Sequence, residues 1–257
     1  MTRLLLLAVL LAGCVPDGVT DYDWGALQPP MPPPPPSGTV SVGTAAVGGA
    51  TLVLTAERGG LHLGYNHLRL AREGGAAPGV PLRVRVRALD GPLAGAAMPA
   101  DAVGADGAFG AFLLAPDTTA ARRFALDVVA GGDTATVEGT ARKDLWMQAA
   151  DGHVVSWVAP LRPLVGANAY TVAVHRWDGA AFVPVDGLTV GLEPYMDMGG
   201  GDGHSTPFTA PVGTGGGRYT ATVDFIMSGG WQMGLAFGLL GQTPSRVRFD
   251  GYTVYDP

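Results

Sequence analysis

The segment Leu82-Arg83-Val84-Arg85-Val86-Arg87 alternates apolar and cationic side chains without a break. A period of two puts the leucine and valines on one face of an extended strand and the arginines on the other, whereas a helix of this sequence would carry charge all round. Tyr219 to Phe225 repeats the pattern, with Tyr219, Ala221, Val223 and Phe225 sharing a face, and Tyr170 to His175 follows it more weakly. No stretch of the body carries a sustained helical stripe with caps at both ends. Short strands punctuated by many of the 40 glycines and 21 prolines predict an all-β fold of Ig-like sandwiches, each sheet burying one face against the other.

The pattern is written twice. Asn66-His67-Leu68-Arg69-Leu70, then Gly79 to Val84, then Gly107-Ala108-Phe109 and a closing Arg123 to Val128 are matched in order by Asn168-Ala169-Tyr170-Thr171-Val172, Asp186 to Val190, Gly217-Arg218-Tyr219 and Trp231 to Leu235. Order and spacing agree where identities are few. The expectation is two tandem Ig-like β-sandwiches, residues 49–141 and 142–257, joined near Arg142 to Gln148.

Two segments precede that body. MTRLLLLAVLLAGC has one cation, Arg3, an apolar run from Leu4 to Leu11 and small residues before Cys14, a secretory signal too short to span a bilayer. Its Leu11-Ala12-Gly13-Cys14 ending resembles the lipobox of bacterial lipoproteins, which implies cleavage after residue 13 and lipidation of Cys14. Cys14 is the sole cysteine, so no thiol would remain for a disulfide, a thiolate metal site or nucleophilic catalysis. The lipid would hold the chain to a membrane of the cell envelope, and Val15, where an aspartate would resemble an inner-membrane retention signal, favours the outer membrane. Residues 14–48 read as a tether, in which the proline-rich stretch Pro29 to Pro36 would span about 25 Å as polyproline II. Without Arg3 the formal charge is about minus seven, and only 15% of residues are charged. That acidic, dilute pattern excludes nucleic acid as a partner.

One loop carries chemistry. In EPYMDMGGGDGHSTP, Glu193 to Pro207, Met196 and Met198 sit two apart after a strand-like LTVGL, so both thioethers would share a face, and His204 follows a glycine run. The bland alternative is that the methionines fill the open end of the core and that His204 is a solvated loop residue. Calcium is disfavoured, because Asp197 and Asp202 among glycines supply too few oxygen ligands. Asp202 then serves the turn.

The second half, through PLVGANAYTVAV, GLTVGLEPYMDMGGGDGH and GGGRYTATVDFIMSGGWQMGL, resembles the YtkA-like and FixH-like periplasmic β-sandwich domains over about residues 154 to 238. That pattern runs from a Gly/Asn strand opening through a Pro, Met, Met, Gly, His loop to a Gly-x-Tyr strand and a Met-x-Gly-x-Trp ending. The resemblance implies copper handling, with Pro194, Met196, Met198 and His204 in the loop, Tyr219 in the Gly-x-Tyr strand, and Met227 and Trp231 in the closing motif. Copper is the expected cofactor, and thioether and imidazole donors suit Cu(I). Met196, Met198 and His204 are the candidate ligands, joined by Met227 or Met233 from a neighbouring strand. The usual pattern has the histidine directly after Met-Gly, whereas Gly199 to Gly203 intervene here. The open question is whether His204 returns to the methionines.

The first half has Ala88 to Gly95 in the place of that loop, with Met98 its nearest thioether. His62 and His67, five apart, would face opposite sides of a strand. The first sandwich therefore reads as a spacer or docking surface. Enzymatic signatures are missing: there is no Gly-x-Ser-x-Gly, HExxH or phosphate loop. Asp151, His153 and Ser156 read as a turn entering a strand, and His175 alternates to the outward face of its strand. The sequence thus points to a lipid-anchored envelope protein that captures or relays copper and exchanges it with an envelope partner. The alternative is a structural or adhesion-type surface lipoprotein that contacts proteins or envelope polymers without metal.

Overall fold

The computed structural model describes residues 38–116, 120–143, 145–199 and 202–257. Cys14, the leader and the proline stretch lie outside them. The described chain is almost wholly antiparallel β-structure, and no helix among the described residues is long and apolar enough to cross a membrane.

One sheet of the first sandwich contains β1 (Val40–Val47), β2 (Ala50–Ala56), β3 (Gly64–Arg72) and β6 (Ala108–Leu113), in the order β1-β2-β3-β6. Its companion contains β4 (Arg83–Ala88), β5 (Ala97–Met98), β7 (Arg122–Ala130) and β8 (Asp133–Ala141), in the order β5-β4-β7-β8. β4 is the alternating arginine segment: Val86 is buried, while Arg83 and Arg85 are exposed. Leu52, Leu54, Leu70, Leu113, Phe124 and Leu126 fill the core between the sheets.

β1, the first strand among the described residues, lies inside the 14–48 segment expected to be tether. Ala45 and Val47 are buried and β1 pairs with β2 from Val40 to Val47. Its VSVGTAAV sequence is too rich in small residues to announce a strand, yet small size is what the site requires. A Cβ on Gly43 would stand 2.7 Å from Val137 Cγ1.

In the second sandwich, β9 (Met147–Ala150), β10 (His153–Ala159), β11 (Gly166–Trp177), β15 (Val212–Gly215) and β16 (Arg218–Phe225) run in the order β15-β16-β11-β10-β9, with β12 (Phe182–Pro184) pairing the end of β11. Facing them are β13 (Thr189–Gly199), β14 (Asp202–His204), β17 (Gly229–Gly238) and β18 (Ser245–Val254), in the order β14-β13-β17-β18. Trp157, Tyr170, Tyr219, Phe225, Trp231 and Phe237 lie in this core.

Without β12 and β15, the two strand orders correspond one to one, β1-β2-β3-β6 with β9-β10-β11-β16 and β5-β4-β7-β8 with β14-β13-β17-β18. The repeat extends to single side chains. Asn66 Oδ1 accepts the His62 N–H at 3.0 Å, and its Nδ2 donates to the carbonyls of His62 (2.7 Å) and Gly64 (3.1 Å). Asn168 makes the same three bonds to Leu164 N–H (3.0 Å), Leu164 C=O (2.7 Å) and Gly166 C=O (2.7 Å). Each asparagine closes the loop that enters the central strand and satisfies backbone groups that would otherwise be buried unpaired. Asn66→Ala and Asn168→Ala are each expected to cost about 3 kcal/mol, roughly 1 kcal/mol for each lost bond. Urea unfolding of the two variants measures this, and losses below 1 kcal/mol would contradict the role.

The two sandwiches share a face. Val154, Val158 and Ala173, pointing away from the second core, pack into the cluster of the first. Arg218 Nη2 on β16 donates to Asp101 Oδ1 and Oδ2 at 2.8 and 2.9 Å, and Asp101 also accepts the Tyr65 hydroxyl at 2.8 Å. The same guanidinium lies 5.6 Å from the Tyr65 ring and 5.5 Å from that of Phe112. His175 does point out of its own sandwich, but it is only 1% exposed, because Phe112 of the first sandwich covers it at 4.4 Å. His62 does not lie in a strand. It bridges to Arg142, while His67 on β3 turns its Nε2 to the Val158 carbonyl at 3.2 Å.

Candidate metal centre

β13 alternates along its length, with Val190, Leu192, Pro194 and Met196 inward and Glu193, Tyr195 and Asp197 outward. Pro194 is accommodated because β14 pairs only with the end of β13, from Met196 onward, so one side of the strand is an edge at the proline. The strand then turns back on itself as a short hairpin. Met196 stands opposite His204, Asp197 opposite Gly203 and Gly199 opposite Asp202, with an irregularity between Asp197 and Gly199. Asp197 Oδ1 accepts the Gly199 N–H at 2.8 Å and Gly199 has φ 83°, so this aspartate shapes the turn. A side chain on Gly203 would overlap the Tyr195 hydroxyl and stand 2.6 Å from the Met196 carbonyl oxygen. Glycine there permits the hairpin to close.

The inserted glycines therefore return His204 to β13, directly across from Met196. Cross-strand neighbours place their Cβ atoms about 4.5–5.5 Å apart. Met196 is 1% exposed and belongs to the second core, its methyl lying 3.1 Å from where a Cβ on Gly229 would be. Met198, on the same face one step nearer the tip, is half-buried against that core. The expectation that methionine fills the open end of the sandwich thus holds for Met196, which also lies beside the histidine.

His204 is not a solvated loop residue. Its Nδ1 lies 3.1 Å from the Ser205 carbonyl, and its ring meets that of Trp231 edge-on at 5.5 Å and 81°. Nε2 is buried with no hydrogen-bond partner among the described residues. Since a carbonyl only accepts, the Nδ1 contact requires the proton on Nδ1, which leaves the Nε2 lone pair free. An imidazole oriented by a backbone carbonyl through its other nitrogen is the usual support of a metal-ligating histidine. Trp231 is fully buried and donates its Nε1–H to the Met227 carbonyl at 3.3 Å. That bond brings Met227 to the rim of the same end, where its side chain is partly exposed. Met233 is placed elsewhere, in the core opposite Pro194 and Phe249.

Among the described residues no three His, Cys, Asp or Glu side chains gather to hold an ion. The hairpin sets Met196 across from His204, with Met198 one step nearer the tip, and thioether and imidazole are donors that suit Cu(I). In the first repeat the corresponding β4–β5 hairpin pairs Val86 with Met98 and Arg87 with Ala97. The imidazole has no counterpart there. Residues the sequence reading left out are Ser205, whose carbonyl orients the ring, and Gly203, whose need is visible only once Tyr195 is seen above it.

The model of the YtkA-like family matches residues 145–236, from before β9 into β17, and so includes Met196, Met198, His204, Met227 and Trp231. No curated protein matches the chain significantly. Among solved structures, domains 5–6 of the S-layer protein SbsC align at 12% identity and a TM-score of 0.36, over 86% of this chain and 96% of that one. A chimeric titin Z1Z2 aligns at 14% identity and a TM-score of 0.22, over 75% and 87%. An endo-fucoidan hydrolase of glycoside hydrolase family 107 aligns at 11% identity and a TM-score of 0.26, over 86% and 34%. Residues 145–236, which form most of the second sandwich and hold its Met/His hairpin, are a YtkA-like domain.

Proposed function

We propose that the YtkA-like sandwich captures a copper ion as cargo at Met196, Met198 and His204 and passes it to an envelope partner, in a protein anchored to the outer membrane through acylated Cys14. The observation that carries this reading is the buried, unpartnered Nε2 of His204, set by the Ser205 carbonyl and placed across from Met196. A buried nitrogen left without a partner costs about 1–3 kcal/mol, and a soft cation at that lone pair would relieve the cost. Met196 supplies a thioether from the apolar side and Met198 one nearer solvent. Thioethers are neutral ligands and the site holds no thiolate, so cargo is held without a countercharge, which suits exchange over permanent storage. Met227 lies on the rim, where a partner would approach.

Anaerobic competition for Cu(I) against a chromogenic chelator tests the site, with Met196→Leu chosen because leucine preserves core volume. The mature chain should withdraw Cu(I) from the chelator. Met196→Leu/Met198→Leu/His204→Ala should bind at least about a hundredfold more weakly, a conservative figure for three lost ligands given that second-shell changes alone cost 10–100-fold. Equal affinity of variant and wild type would end the proposal. Incorporation of a clickable fatty acid, abolished by Cys14→Ser, tests the anchor separately.

A further inference from the structure

Three of the five histidines converge where the two sandwiches meet, outside the metal hairpin. His175 on β11 is buried against Phe112 of β6, with Arg218 of β16 as its nearest charge and its Nδ1 lacking a partner. Asp101 pairs with that arginine and with Tyr65. His67 on β3 stands edge-on to Tyr65 at 4.9 Å and contacts the Val158 carbonyl of β10, with Glu57, Arg58 and Asp101 as the surrounding charges. His62 is 2% exposed where the connector leaves the first sandwich, its Nδ1 3.4 Å from the Leu63 carbonyl and its neighbours Arg58, Arg142 and His67. Arg142 stitches that connector to the first sandwich, its N–H donating to the Leu61 carbonyl and its carbonyl accepting the Leu63 N–H.

We propose that this joint is an acid-sensitive latch, in which protonation of the gathered histidines releases the two sandwiches from one another while each stays folded. A proton on His175 adds a cation beside Arg218, in a face otherwise covered by Val154, Val158, Ala173 and Phe112. One on His62 adds a cation between Arg58 and Arg142. Among the described residues neither gains a carboxylate partner in place, since Asp101 is already engaged by Arg218 and Tyr65. Opening gives both rings back to water, where they titrate normally. In the closed joint all three are lowered from their ordinary value, chiefly by burial. A group that binds its proton only in the open form shifts the equilibrium toward that form about tenfold per pH unit below its ordinary value near 6.5. The latch is independent of metal and of the hairpin.

Ser156 supplies the probe. It lies in β10 on the shared face, fully buried, with its hydroxyl unpaired. In the mature chain carrying Cys14→Ser, the thiol of Ser156→Cys is titrated with 4,4′-dithiodipyridine, which reacts in acid, and compared with Ser41→Cys at an exposed position. Near-ultraviolet circular dichroism follows the packed tryptophans alongside. The relative labelling rate should rise at least about tenfold between pH 6 and pH 5 with the dichroism unchanged. His67→Gln/His175→Phe should flatten that rise to the share of His62, and His175→Gln replaces the phenyl variant if it does not fold at pH 7.5. A rate that does not rise, a rise the double variant keeps in full, or labelling that coincides with loss of the dichroism would each overturn the latch.

Discussion

Alanine at Gly107 or at Gly217 is expected to cost about 3 kcal/mol or more of folding stability, combining left-handed backbone strain with a broken ladder bond. Both glycines precede the same strand of their repeat, β6 and β16, with φ of 85° and 71°. A Cβ on Gly107 would overlap the Leu70 carbonyl oxygen, and one on Gly217 would overlap that of Val174. Each glycine carbonyl also accepts the N–H of that same residue, Leu70 to Gly107 at 2.9 Å and Val174 to Gly217 at 2.8 Å. The new methyl can be fitted only by moving the backbone that the bond holds. Gly131 provides the comparison, since its φ is 60° but nothing lies within 4 Å of its added Cβ, so Gly131→Ala bears strain alone, about 1–2 kcal/mol. Thermal unfolding reads the difference as a Tm lowered by roughly 6–12 °C for the first pair. Equal losses at all three positions would show that the close approach to Leu70 and Val174 carries no cost.

These glycines belong to what the sequence displays clearly. Gly107-Ala108-Phe109 and Gly217-Arg218-Tyr219 stand out in the sequence because a left-handed turn tolerates little else, and Asn66 and Asn168 stand out likewise, each in a Gly-x-Asn step. The alternation in β4 and β16 was legible because one face of each is buried and the other wet. β1 escaped because VSVGTAAV packs small residues against β8 and has little apolar contrast. The face between the sandwiches escaped for a different reason. Val154, Ser156 and Val158 read as one side of a strand and Val155 and Trp157 as the other, and both sides are buried, by different sandwiches. Alternation cannot identify which neighbour covers a face, so it placed His175 on the outward side of its strand, which is right, without showing that the first sandwich covers it there.

At the hairpin, spacing foretold that Met196 and Met198 share a face. The return of His204 depends on the Gly203 approach to Tyr195 and on the Asp197 turn, and both are three-dimensional facts with no periodic signature. Trp231 was visible in the closing motif, but its edge-on contact with His204 needed β17 to be paired along β13 as far as Tyr195.

Acidification from pH 8 to pH 5 is expected to remove at least about 4 kcal/mol of stability, about 2 kcal/mol through each of His62 and His175, with His67 adding to it. Burial, and then Arg218, lower His175 to about 4. Burial, and then Arg58, lower His62 to about 3 against the opposing contact with the Leu63 carbonyl. In the unfolded chain both titrate near 6.5. Below that value the unfolded chain binds protons that the folded chain refuses, so stability is fully present above pH 6.5 and falls with pH until the folded values are reached. At pH 5 both rings are protonated in the unfolded chain and neutral in the folded chain while the joint is closed, and most carboxylates are still ionised in both states, which isolates the histidine contribution. Urea unfolding in this range should show a midpoint that drops steadily below pH 6.5. In His175→Phe the loss between pH 8 and pH 5 should shrink by about 2 kcal/mol, leaving the shares of His62 and His67. An unchanged pH dependence in that variant would mean that His175 accepts its proton without leaving the shared face.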